Sequence, residues 1–599
     1  MRVTVFAALC ALAAACGSHS GTHDEATATL SIDPPTSQLM ILNGTAATES
    51  FTATLTFADG TKQDVTAMTM FAIDASFGAF QANGLSMFTA GKTAVTGTYE
   101  DKMASAEVVA TLKEVVIQTG TCAMSPTTTC TGDPDCTAVG GGSCVGAVSP
   151  MAPSWFQMPE DPTRAPTIAY PPVNVIVPPN LGDFDVHWVD SVGNDVFEVS
   201  LTTEFSDVRM YVTGGNGSVA GGGWATVLAN EWTSAVGAST AVTFQVRGVQ
   251  SSNPVSVGSA PPQLVKLSNE AMLGGIYYWA STGTYGIYRH DMSMPDQPAQ
   301  QYMTTAQTSG RCVACHVLSR DGKEMLVTYD GGNGAATTID VATATAAATG
   351  GNWNFATFTP DNTEFLAVYN GTLTVRDYAS QAILATMTAS GSVSHPDLSP
   401  DGTQLVYVHP NVAGSDWAFG SGDIYLRTFD QSTNSFGPEQ QLVADGTNNY
   451  YPSFSPDGKW ILFNKGDNTQ NGALNQSGSY NGPNAELWVM PADNSSPPVQ
   501  LTTANISAGL TDSWGRWAPF AQTFGANSEQ MYWITVSSKR DFGVRLVGTQ
   551  RPQVWMTGFF PDRATGGMDP SSPAFRLPFQ DITSDNHIAQ WAQQVVTVQ

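Results

Sequence analysis

The chain has 599 residues, enough for several domains, and a formal net charge of −27. Charged residues make up 13% of it, about half the usual share. The acidic balance argues against nucleic acid and against electrostatic docking on anionic lipid, suits an extracytoplasmic protein, and weakly favours a cationic partner.

Arg2, the apolar run Val3 to Ala15 and the closing Leu12-Ala13-Ala14-Ala15-Cys16 read as an export signal over residues 1–15. Small residues followed at once by Cys resemble the lipobox of bacterial lipoproteins. That resemblance implies cleavage before Cys16 and lipid on its thiol and amine; an ordinary signal peptide with an A-x-A site is the alternative. The run is too short to span a bilayer, and no later run of eighteen apolar residues exists, so lipid would be the only membrane anchor. Gly17 follows the Cys without a retention Asp, which points to the outer membrane, at its periplasmic or surface face. Residues 16–27 are small and polar, a tether.

Residues 28–116 alternate apolar and polar in short runs, with Asp59-Gly60 as a hairpin signal, and predict a β-sandwich. The stretch from Phe71 through Gly91–Asp101 to Ala106–Leu112 resembles the bacterial immunoglobulin-like modules of adhesins, which implies a spacer or adhesive module.

Residues 117–150 hold Cys122, Cys130, Cys136 and Cys144, read in an oxidising compartment as two disulfides with three alternative pairings. The acidic turn Thr131-Gly-Asp-Pro-Asp135 offers carboxylates to calcium or is simply solvated. Residues 151–170 are Pro-rich and read as a linker. Residues 171–268 alternate again, over Val173–Val177, Phe184–Trp188, Val196–Leu201, Val208–Val212 and Ala241–Val246, and look like a sandwich of fibronectin type III character. His187 beside a strand Trp reads as structural.

From residue 269 to 599 one unit recurs. Its turns are Ser319-Arg-Asp-Gly322, Thr359-Pro-Asp-Asn362, Ser399-Pro-Asp-Gly402 and Ser455-Pro-Asp-Gly458, spaced by 40, 40 and 56 residues, with a degenerate copy at Trp517-Ala-Pro-Phe520. Ser or Thr caps the turn, Pro sets φ, Asp bonds the backbone, and Gly or Asn takes positive φ. A strand follows each turn, and a partner strand follows each of those. Gly275–Trp279 with Gly286–Arg289 supplies an earlier unit. Units of about 40 residues that cannot bury both faces alone stack radially. The S-P-D-G turns with their strands resemble the blades of TolB-like β-propellers, giving about six blades and implying an envelope protein-binding scaffold. The chain is thus expected to be all-β: two β-sandwiches followed by a roughly six-bladed β-propeller.

Just before the first such turn stands Arg311-Cys312-Val-Ala-Cys315-His316, and C-x-x-C-H is the attachment signature of a c-type haem. Two thiols spaced by two residues reach the two vinyl groups of one porphyrin, and the adjacent His316 can take the iron. Redox-active or bridged thiols, or half a zinc site, are the alternatives. Counting back four residues from each turn aligns Cys315, His395 and Tyr451, a position near a propeller's central channel, which makes His395 a candidate second iron ligand. The other is His587, on a C-terminal helix expected to begin at Ser584 or Asp585 with Ile588, Trp591 and Val595 as its apolar stripe. His290, a methionine, or an open position complete the alternatives.

No G-x-S-x-G, P-loop or Rossmann fingerprint occurs, and too few residues follow the last repeat for a hydrolase domain. Two functions follow. One is a lipid-anchored haem c protein that transfers electrons to a redox partner or senses redox state at the envelope. The other is a haem-free scaffold for an envelope protein, with Cys312 and Cys315 bridged.

Overall fold

A computed structural model describes residues 27–597, apart from 215–218, 284, 332–333, 348–349, 411–418, 469–478, 480–481 and 507–508. The export signal and Cys16 lie outside the described residues. The chain is all-β and divides into two compact units. No described helix is long and apolar enough to cross a membrane.

The first unit (residues 27–39, 46–87 and 92–110) is a small sandwich. Thr52–Thr56 pairs antiparallel with both Thr29–Asp33 and Lys62–Asp64. The expected hairpin forms at Asp59-Gly60: Gly60 takes φ +83°, and Asp59 Oδ1 accepts Thr61 N–H at 2.9 Å. The alternation buries one face, where Phe51, Phe71 and Phe80 meet with ring centroids 5.6–6.4 Å apart.

The second unit (residues 40–45, 88–91 and 111–597) starts with the four-Cys segment. The pairing is Cys122–Cys136 and Cys130–Cys144, one of the three the sequence allowed. The sulfurs themselves are the core of this piece. Its acidic residues are engaged locally: Asp135 Oδ2 accepts Thr131 N–H and Oγ1–H at 2.7 and 2.8 Å, and Asp133 Oδ1 accepts Cys144 N–H at 2.8 Å.

Residues 151–170 are not the irregular linker expected. Phe156 is buried against Tyr211, Val196, Val249 and Val257, Arg247 donates to Phe156 O at 2.9 Å, and Thr167–Tyr170 joins a sheet. Proline content misled here because it reports backbone restriction, not exposure. The second sandwich then pairs Val196–Thr202 with Ser206–Thr213 and Ala241–Val249. A helix the alternation did not announce, Ala229–Val236, inserts Trp232 flat on Phe184 at 4.8 Å.

The propeller has six blades among the described residues: three four-stranded sheets, one five-stranded sheet, and one nine-stranded sheet that holds two blades. Their inner strands are Val313–Leu318 in blade 2, Phe355–Phe358 in blade 3, Ser394–Leu398 in blade 4, Asn448–Phe454 in blade 5 and Asp512–Phe524 in blade 6. Blade 1 has Gly275–Ala280, Gly286–Asp291 and Gln300–Thr304, and receives its inner strand from the C-terminus, Asn586–Ala592. The expected C-terminal helix is therefore a strand. Ile588 and Trp591 mimic a helical stripe because a bulge, with Ile588 at φ +54°, breaks the two-residue alternation. This strand joins the two ends of the propeller.

The four turns are built alike. Ser319, Thr359, Ser399 and Ser455 each donate to the Asp two residues on, and each accepts the N–H five residues on at 3.0–3.1 Å. Gly322, Asn362, Gly402 and Gly458 take φ of +60° to +75°. Trp517–Phe520 is not a fifth turn: it runs inside Asp512–Phe524, and that blade turns at 525–528. Two bulges let so long a strand bend around Ala-Pro.

Candidate functional site at the propeller channel

Most inner strands carry a bulge at the same level. Register breaks between Val313 and His316, Ser394 and Asp397, Tyr450 and Ser453, and Ser513 and Arg516. His395, Tyr451, Trp514 and Ile588 all hold φ of +44° to +60° there, which β-branched and bulky residues adopt only when the surroundings enforce it. Each blade thus delivers one side chain at this level: Cys315, Phe355, His395, Tyr451, Trp514 and Ile588.

Most of these are aromatic and close the channel from within. Tyr451 stacks on Trp514 at 4.0 Å, His395 lies 4.0 Å from Tyr451, and Phe355 meets His395 edge-on at 4.3 Å. The enclosed space beside them is about 30 Å³, room for about two waters. Cys315, His316, Trp353, His395 and Arg516 are among its walls. A second chamber of about 120 Å³ continues past Arg516 and Gln590 to Arg320 and Asp397.

Cys312 and Cys315 are unbridged and partly exposed, whereas the other four described cysteines are paired. Asp330 clasps the approach: its carboxylate accepts from Arg311 Nε at 2.9 Å and from Cys312 N–H at 3.1 Å. Burial, and then Asp330, raises the Cys312 thiol above its ordinary pKa. Burial, with the Cys312 thiol adding to it, pushes Cys315 up to about 12. Both sulfurs are therefore protonated at neutral pH. Reactive dithiols need the reverse, a cationic setting that lowers the pKa, so thioredoxin-like chemistry gains no support here.

His316 is 2% exposed, and its Nε2 lies 3.2 Å from the backbone O of Tyr277 in blade 1. That bond is non-local, and sequence alone could not disclose it. Of the two histidines expected opposite the iron, His395 shares the channel with Cys315. His587 instead packs on Trp279, with centroids 5.9 Å apart, and burial followed by Lys539 lowers it to about 3. His290 stacks on Phe579 at 4.0 Å, and burial lowers it to about 4.

His395 was expected from alignment of the turns; its protonation state was not. Its Nδ1 accepts Tyr451 N–H at 3.3 Å. Burial, reinforced by Arg516, holds it far below the ordinary histidine pKa, so the ring is neutral. A neutral ring accepting at Nδ1 carries its proton on Nε2. As held by Tyr451, His395 offers the channel an N–H rather than a lone pair, which suits a hydrogen-bond acceptor better than iron. Arg516, which sequence reasoning missed, lies behind it.

No family model matches the chain, and no curated protein matches it. Among solved structures it is similar to TolB from Acinetobacter baumannii, at 15% identity over 58% of this chain and 79% of that one, TM-score 0.35. It is also similar to a putative TolB from Agrobacterium tumefaciens, at 15% identity over 53% and 98%, TM-score 0.32. Kuenenia stuttgartiensis hydrazine synthase matches at 13% identity over 47% and 72%, TM-score 0.31. At these values none of them bears on the chemistry of the channel.

Proposed function

We propose that the chain is an exported c-type haem protein, anchored by lipid on Cys16 at the outer membrane, with electron transfer or redox sensing at the envelope as its role. Cys312 and Cys315 would hold the haem through thioethers, and His316 would bind its iron. When bound, the haem supplies one-electron redox chemistry. The observation that carries the reading is the unbridged pair Cys312 and Cys315, with Cys315 and the adjacent His316 both in the channel wall. A space of about 30 Å³ does not admit the ring, so the channel interior as it stands does not fit the haem.

One observation favours the haem-free scaffold instead. His316 Nε2 is already engaged by Tyr277 O, and a ligand histidine has to give up that bond. Expression with a cytochrome c maturation system separates the readings. The first expects a mature chain heavier by one haem, a haem-stained band on a denaturing gel, and loss of both in Cys315→Ala. A colourless chain of unmodified mass overturns it and leaves an envelope scaffold that binds through the propeller.

A further inference from the structure

Two buried ring N–H groups of the channel lining have no partner among the described residues. His395 is 4% exposed, and its Nε2 is buried without a partner. Trp353 is 1% exposed, and its Nε1–H, which can only donate, is likewise unpartnered. Both side chains line the same small space as Arg516. Arg516 donates to Gly515 O at 3.0 Å and, among the described residues, forms no ion pair. Unpaired buried donors such as these two are disfavoured unless something occupies them, and the half-buried guanidinium of Arg516 adds a charge beside them.

The adjoining chamber continues this bias. Arg320 lines it, donating Nη2 to Leu398 O at 3.0 Å. Asp397 is the one carboxylate in the lining of the two chambers, and its oxygens are held by Phe454 N–H at 2.8 Å and Thr357 Oγ1–H at 3.3 Å. Two guanidinium groups against one carboxylate leave the channel positive inside a chain of net charge −27. A positive cleft with low-dielectric walls concentrates anions.

We propose that the central channel is a binding site for a small carboxylate, with Arg516 and the His395 Nε2–H as its principal donors. Volume sets the class. Chambers of about 30 and 120 Å³ accept a carboxylate with a short chain behind it, and exclude nucleotides and sugars. A planar guanidinium matches a carboxylate's two oxygens, and a neutral N–H beside it adds direction. Water alone could occupy the donors, but it would leave the two guanidinium groups balanced by the single carboxylate of Asp397.

The proposal is independent of the haem. The test is therefore run on the mature full chain as purified and on a Cys312→Ser/Cys315→Ser chain, with haem content read separately by absorbance. Calorimetric titration with sodium acetate at constant ionic strength, against acetamide as the neutral isostere, is expected to give one saturable site for acetate alone in both chains. Arg516→Gln should weaken it at least tenfold, and Arg516→Lys by less. His395→Phe should weaken it about threefold, because it keeps the ring and loses the donor. If Arg516→Gln does not fold, ring ¹⁵N shifts of histidine-labelled wild type decide: acetate must move the His395 signals and leave those of His187 in place. Equal response to acetate and acetamide, no saturable binding, or acetate binding unchanged in His395→Phe and Arg516→Lys overturns the site.

Discussion

Two buried histidines in the second unit begin alike and end differently. His187, in the second sandwich, accepts Val544 N–H of the propeller at Nδ1, at 3.3 Å. His395, in the channel, accepts Tyr451 N–H at Nδ1, also at 3.3 Å. In each case the backbone bond fixes the tautomer and leaves a proton on Nε2. At His187 that proton faces Asp185 Oδ2 at 3.3 Å, and Asp185 in turn accepts from Arg545 at 2.6 Å and Thr226 at 2.5 Å. At His395 it faces nothing the described chain supplies. The first ring is finished by folding and serves as a joint. The second is left open by folding, with its Nε2–H unpartnered.

Substitution should expose the contrast. His187→Phe leaves Asp185 and Val544 N–H short of a partner inside the junction, and is expected to cost about 3 kcal/mol. Denaturant melts followed by tryptophan fluorescence would read it; a loss under about 1 kcal/mol means the junction does not depend on the network. Gly543→Ala tests the same joint from the other side. A Cβ there would lie 1.9 Å from His187 Nδ1, on a backbone at φ +50°. The ring has to move, and about 2 kcal/mol should be lost. His395→Phe removes a donor that has no partner and sacrifices only the Tyr451 bond, so stability should change by less than about 1 kcal/mol. A large loss at His395 would show that the channel ring is as structural as the joint.

The repeat is what made part of this visible beforehand. Each Ser/Thr-x-Asp-Gly/Asn turn is local chemistry, so the turns, the strands after them and the level of Cys315, His395 and Tyr451 could be counted from the sequence. The missing pieces are those fixed by distant partners. Asn586–Ala592 becomes a strand because Gly275–Ala280, some three hundred residues earlier, has an edge to fill. Phe156 is buried by a core assembled from later strands. His316 finds Tyr277 O across a blade boundary, and Arg516 enters the channel through a bulge in a strand whose Ala-Pro reads as a turn. Composition could suggest a disulfide segment, but only packing selects Cys122–Cys136 and Cys130–Cys144.

Acid gives the smallest and most discriminating comparison. Burial lowers the pKa of His187, His290, His395 and His587. For a base with a depressed folded pKa, the unfolded chain takes up protons first as pH falls through about 6.5, so stability declines from there downward, by up to about 1.4 kcal/mol per pH unit per histidine. Asp185 adds to the decline at the junction. Its hydrogen bond from His187, followed by the charge of Arg545 and the hydrogen bond from Thr226, outweighs burial and holds it below the ordinary carboxylate range, so its contribution is present above about pH 4 and is lost as pH falls further. At the channel no carboxylate bonds to His395, and Arg516 presses the same way as burial. His395→Phe should therefore lose less stability than wild type between pH 6.5 and 5, by about 1 kcal/mol. Parallel wild-type and variant profiles over that window would mean that His395 titrates normally in the folded chain, and the neutral Nε2–H donor would have to be abandoned.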